Sequence, residues 1–173
     1  MTHAHHGEYL NEDKNLLNLD IIALSETKLK NEANEQLAAL LSNWVMLIRQ
    51  DSNDNELHMG MLILVSKKSK LNEDKIVLKE NKIWSKNVNN KILNHMQLMT
   101  IKVKEFLLNI SFLYIRKTPD NEDITRIRKY TLGSEVVMGD FNLNKNNVSE
   151  KKLLDKLCND GKQTTLMMLQ LIN

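Results

Sequence analysis

Two short apolar runs, far apart in the chain, each stop at a carboxylate, and this repeated design constrains the fold more than any other feature. Asp20-Ile21-Ile22-Ala23-Leu24 ends in Ser25-Glu26-Thr27, and Glu135-Val136-Val137-Met138 ends in Gly139-Asp140-Phe141-Asn142. Apolar runs this short are predicted strands covered on both faces, and a layered sheet delivers the polar residues that follow them to one end. Carboxylates brought together from distant positions are hard-oxygen ligands suited to magnesium, which keeps most of its waters and shares its remaining shell with a substrate phosphate. Gly139 permits close backbone approach or a sharp turn just before Asp140, and the Asn142 amide can donate to a phosphate oxygen. Taken alone, either carboxylate reads as a strand-end turn cap; the pair is what points to chemistry.

Between and around these runs the pattern is mainly strand. Residues 1–15 are polar and aperiodic and read as an irregular lead-in, with His3, His5 and His6 a floppy end rather than a metal site. A helix is predicted over Asn34–Ser42. Strands follow over Trp44–Arg49 and Met59–Ser66, paired as neighbours across a polar loop. Ile76–Leu78 reads as a short strand. Ile101 and Val103 alternate with Lys102 and Lys104 in a half-exposed strand from His95 to Lys104, whose partner is Phe106–Ile115. The single proline, Pro119, opens a loop before a helix over Glu122–Tyr130 with Ile124 and Ile127 inward, and Ser149 is placed to cap a helix to Leu157. His58 and His95 read as ordinary loop and strand-edge residues. Strands outnumber helices, and no linker divides residues 16–173.

Composition sets the outer bounds. A chain of 173 residues, 42% hydrophobic and 27% charged, suits one domain with a real core. It contains neither a membrane-length apolar stretch nor the apolar block of a signal peptide, so an intracellular protein, nuclear or cytoplasmic, is expected. One cysteine, Cys158, excludes an intrachain disulfide. Charge is uneven: residues 1–60 carry a net −6, whereas residues 67–104 carry ten lysines against three acids. That middle segment reads either as a solvated face or as a surface that draws a polyanion such as DNA. Lys67, Lys68, Lys70, Lys102 and Lys104 are its candidate nucleic-acid contacts.

The stretches DIIALSETKL at Asp20–Leu29 and VVMGDFNL at Val136–Leu143 resemble the glutamate and GDFN motifs of the endonuclease/exonuclease/phosphatase family, especially the endonuclease domains of retrotransposons and related mobile elements. GMLILVSKK at Gly60–Lys68 and FLYIRKTP at Phe112–Pro119 resemble that family's Gly-rich strand entry and tyrosine strand, in the same order. The resemblance implies an α+β fold: a two-layer, mainly antiparallel β-sandwich flanked by helices as four α/β/β/α layers, here incomplete at its N- and C-terminal edges. It implies hydrolysis of a phosphodiester with magnesium, or manganese in its place. Glu26 would hold the metal, Asp140 would orient or activate water, Asn142 would bind phosphate and Tyr114 would stand near the scissile group. DNA is the implied partner, with no membrane and no obligate protein partner. The family's first-strand Asn and its C-terminal Asp-His pair find no counterpart here, since the last histidine is His95. That departure implies a truncated, degenerate copy with weak or no activity, and leaves two alternatives open: a non-catalytic nucleic-acid-binding remnant, or a small-phosphoester phosphatase.

Overall fold

The computed structural model describes residues 18–27, 42–50, 60–71, 73–88, 91–143, 152, 155 and 165–168. The lead-in, the polar loop after residue 50, His58 and the helix predicted over 34–42, save its last residue, lie outside these. The chain forms two compact units, Met1–Ile76 and Val77–Asn173.

The first unit holds a three-stranded antiparallel sheet in the order β1 (Ile21–Ser25), β3 (Met61–Ser66), β2 (Trp44–Gln50). The expected neighbours β2 and β3 do pair, with a bulge between Met46 and Ile48. Every residue of β3 is buried, which is why its sequence runs apolar without alternation: a central strand covered on both faces has no solvent side to mark. Ile22, Trp44, Leu62 and Leu64 form the core of this unit. Each fully buried aliphatic side chain there contributes about 1.5–3 kcal/mol over an exposed one.

The second unit holds a five-stranded sheet in the order β4 (Ile76–Val88), β5 (Lys91–Val103), β6 (Leu108–Ile115), β7 (Val136–Asp140), β8 (Thr165–Met168). Strands β5 and β6 pair antiparallel as expected, and β6, β7 and β8 run parallel. The crossover from β6 to β7 is α1 (Asn121–Thr131), one residue longer at each end than predicted. Its start is fixed by a capping box: the Asp120 side chain accepts from the Asp123 amide, and the Asp123 side chain accepts from the Asp120 amide. Ile124 and Ile127 point inward, as their spacing predicts, against Met96, Leu98, Leu113, Ile115 and Val137. A chain of buried hydroxyls, Thr100 to Ser111 to Ser134, each link 2.7 Å, ties the far end of that face together.

Three expectations need correction. The short strand at Ile76–Leu78 is the start of a strand that continues to Val88. Its later residues, Lys-Glu-Asn-Lys-Ile-Trp-Ser-Lys, are polar because β4 is the last strand on its side of the sheet, and an edge tolerates charge that blunts further pairing. His95 is not at a strand edge: β5 lies between β4 and β6, and the residue is 0% exposed. The third is β8, a four-residue run with no alternation and no flanking strand signal, which nothing in the local pattern announces. Of the helix predicted over Ser149–Leu157, Lys152 and Asp155 are described, and both are helical.

Candidate active site

Each motif carboxylate stands at the C-terminal end of its strand, as read. In the first unit, Glu26 follows β1 directly and is exposed. Its backbone is left-handed (φ 52°), a region that costs a residue with a Cβ roughly 1–2 kcal/mol. The next residue, Thr27, donates its amide to the Gly60 carbonyl at 3.2 Å, holding this turn against the entry to β3. Whether that strain serves the side chain or the turn is tested by substitution. Glu26→Gly relieves the strain while adding unfolded-chain entropy of about 0.5–1 kcal/mol. Its urea-unfolding free energy is expected to be unchanged or slightly higher, and that of Glu26→Ala no higher than the parent's. A clear loss of stability in the glycine variant would assign Glu26 a structural role instead.

In the second unit, Asp140 ends β7 opposite Tyr114, and Tyr114 in turn lies opposite Gln97 on β5. One row across three strands therefore reads Gln97, Tyr114, Asp140. Asn142 closes the site by two contacts: its amide N–H meets Asp140 Oδ1 at 3.0 Å, and its side-chain Nδ2 donates to the Ile115 carbonyl at 2.6 Å. Here too the backbone is left-handed (φ 45°), which asparagine accepts more readily than most residues. One side-chain N–H and the amide oxygen of Asn142 are left over for a ligand. The second carboxylate oxygen of Asp140 has no hydrogen-bond partner among the described residues. Tyr114 is 0% exposed, so it can shape the site but cannot touch a ligand with its ring.

Sequence reading missed the rest of this end. Residues on one face of the sheet alternate by two, so His95 and Arg116 continue the face that carries Gln97, Tyr114 and Asp140. Arg116 donates its amide to the His95 carbonyl at 2.9 Å, extending the β5–β6 pairing one residue beyond β6. His95 Nδ1 lies 2.7 Å from Ser85 Oγ on β4. Burial, and then the Arg116 charge, push the His95 imidazole down to about 4. Further along the same face come Met99, Phe112, Ile101 and Ile110, all buried. On β5 and β6 the polar side chains of this face are thus confined to the Asp140 end. The available signal was FLYIRKTP, which puts two cations, Arg116 and Lys117, after Tyr114 with Ile115 between.

The five candidate lysines go elsewhere. Strand β1 runs antiparallel to β3, and Ser69 Oγ donates to Asp20 Oδ1 at 2.6 Å, so Lys67, Lys68 and Lys70 stand beside the start of β1. Glu26 is six residues farther on, roughly 20 Å at the rise of a strand. Lys67 moreover spends its ammonium on the Ser42 carbonyl at 2.7 Å. Lys102 pairs with Asn109, five residues from Tyr114, and Lys104 lies beyond it, so both are roughly 17 Å or more from the Asp140 row.

Among the described residues no group of three or more His, Cys, Asp or Glu side chains converges as a metal site. Each motif taken by itself offers one carboxylate, exposed Glu26 in the first unit and part-exposed Asp140 in the second, of the hard-oxygen kind that magnesium takes one or two of while filling its shell with water and phosphate. Nor, among the described residues, is any helix long and apolar enough to cross a membrane.

No protein-family profile matches the chain, and no curated protein does. Solved structures do. An endonuclease/exonuclease/phosphatase family protein from Bacteroides thetaiotaomicron superposes with a TM-score of 0.53 at 14% identity, over 89% of this chain and 59% of that one. A mannosyl-6-phosphatase from the same organism gives 0.52 at 14% identity, over 92% and 61%. The human Nocturnin catalytic domain with bound sulfate gives 0.50 at 13% identity, over 91% and 62%. The fold is that of endonuclease/exonuclease/phosphatase structures, as the motif resemblance implies, and this chain spans about three fifths of their length.

Proposed function

We propose that this chain is a divalent-metal-dependent phosphodiester hydrolase domain acting on DNA, of mobile-element descent. The observation that carries the reading is the polar row Gln97, Tyr114, Asp140, closed by Asn142, at the end of a face that is apolar farther along β5 and β6. Burying such groups costs stability that a hydrocarbon row would not. The mannosyl-6-phosphatase and the sulfate-bound Nocturnin domain that share the fold support phosphoester chemistry, and the DIIALSETKL and VVMGDFNL contexts support the choice of DNA.

In this reading Asp140 aligns the attacking water and accepts its proton through the carboxylate oxygen that Asn142 leaves open. Asn142, anchored to the Ile115 carbonyl, holds a phosphate oxygen with its remaining N–H. Tyr114 is a positioning residue that fixes the height of Asp140 on the sheet. Glu26 supplies an oxygen ligand to magnesium or manganese. When bound, the metal supplies charge stabilisation for the phosphoryl group. Within these 173 residues the family's first-strand Asn and Asp-His pair are absent, so turnover is slow.

The test is nicking of supercoiled plasmid with magnesium, at high enzyme and long times. Asp140→Ala and Glu26→Ala are each expected to lose 100-fold or more of the parent rate, the scale of one positioned base or electrostatic group. Cleavage that is identical in parent and both variants would end the reading. Hydrolysis of p-nitrophenyl phosphate with intact plasmid would replace it by the small-phosphoester alternative, and salt-sensitive binding without any cleavage by the non-catalytic one.

A further inference from the structure

We infer that Thr27 is a positioning residue for the divalent ion assigned to Glu26, and that its hydroxyl takes its hydrogen-bond partner within the coordination shell of that ion; this rests on the metal role proposed above. Thr27 Oγ1 is buried and has no hydrogen-bond partner among the described residues, although the residue directly follows an exposed carboxylate. Other threonines of the chain do place their hydroxyls. Thr100 Oγ1 is bonded to Ser111 Oγ at 2.7 Å, Thr125 donates to the Asn121 carbonyl at 2.8 Å, and Thr131 to the Ile127 carbonyl at 3.0 Å. A buried hydroxyl without a partner costs stability that a valine of the same shape would not. A partner from outside the protein accounts for a threonine there. The groups around a metal ion, a coordinated water and the ligating carboxylate, offer a hydroxyl both a donor and an acceptor.

The two ends of β1 are held differently. At its start, the Asp20 carbonyl accepts from the Ser66 amide at 2.9 Å, and the Asp20 carboxylate accepts from Ser69 Oγ at 2.6 Å. At its other end the Thr27 amide reaches the Gly60 carbonyl at 3.2 Å, the long limit of such a bond. Register between the ends is fixed against β3, from Ile21 opposite Val65 to Ser25 opposite Met61. Residues 26 and 27 can therefore settle on an ion without disturbing the strand that carries them. A hydroxyl next to a ligating carboxylate orients it, and loss of such a neighbour weakens metal affinity by about 10-fold or more.

Titration with manganese, followed by the EPR signal of the free ion, tests this without any need for turnover. Thr27→Val is expected to weaken manganese binding by about 10-fold, whereas Thr27→Ser, which keeps the hydroxyl, should bind as the parent does. In urea melts without divalent metal, Thr27→Val should be as stable as the parent or more so, because it removes an unsatisfied buried group. Equal manganese affinity in parent and valine variant overturns the inference. So does a valine variant that loses stability without metal while the serine variant does not, since the hydroxyl would then have its partner in the fold itself. Glu26→Ala keeps these outcomes apart from failure of the metal reading. If the parent binds no manganese, or binds it as Glu26→Ala does, Glu26 holds no ion and both fall. If Glu26→Ala loses the ion and Thr27→Val does not, only the role of Thr27 falls.

Discussion

Gly139→Ala is expected to destabilise the second unit by about 4 kcal/mol or more, the range reserved for a named steric failure. A Cβ placed at residue 139 would sit 1.8 Å from the Leu113 carbonyl oxygen and 2.7 Å from its carbon. Those atoms are backbone of the paired strand, so no rotamer change relieves the clash; β6 and β7 must separate. Strand β8 is attached through β7 and would be lost with it. The φ of 149° adds a backbone cost that only glycine avoids. Gly133 is the control: its φ is 91°, but nothing lies within 4 Å of a Cβ there. Gly133→Ala should therefore cost only about 1 kcal/mol. Urea melts of the two variants should differ several-fold in lost free energy, and equal losses would refute the collision. Of the two roles that the sequence offers Gly139, a sharp turn or a close backbone approach, the strand requires the second.

The second large effect is a loss of stability on mild acidification. His95 has an ordinary value of 6.5 and is held at about 4 in the fold. Between these values the unfolded chain binds a proton that the folded chain refuses. Stability from this group is full above pH 6.5 and falls as the pH drops, by about 2 kcal/mol at pH 5 and about 3 kcal/mol by pH 4. His95→Gln keeps an acceptor for Ser85 and should flatten the dependence between pH 6.5 and 5, whatever it does to stability at neutral pH. Asp120, lowered from 3.8 mainly by the Lys86 hydrogen bond, acts in the same direction but only below its ordinary value, so the two windows do not overlap. Parallel curves for parent and variant from pH 6.5 to 5 would show that the imidazole is not buried neutral.

Strand runs whose burial is uniform were legible: Ile21–Ser25, Met61–Ser66 and Val136–Asp140 lie within a residue or two of where their apolar blocks place them, because a two-face-covered strand writes its burial directly into composition. The capped helix α1 was legible for the same reason at its own period. The later half of β4 was not, since Lys, Asn and Glu are poor strand formers and only the neighbouring edge of β5 makes that stretch extended. Nor was the fate of His95, whose burial depends on strands to either side that local pattern does not assign.

What the amino-acid order determined alone is the alternation and length of the apolar runs, and with them which carboxylates end which strands: Glu26 and Asp140 needed no coordinates. Strand pairing decided the remainder. Register set Tyr114 beside Asp140, carried Arg116 and His95 to that same end and sent Lys102 and Lys104 to the other; in the first unit it put Lys67, Lys68 and Lys70 at the start of β1, away from Glu26. Charge counted along a chain has no direction, and an antiparallel partner reverses which end of a strand it reaches.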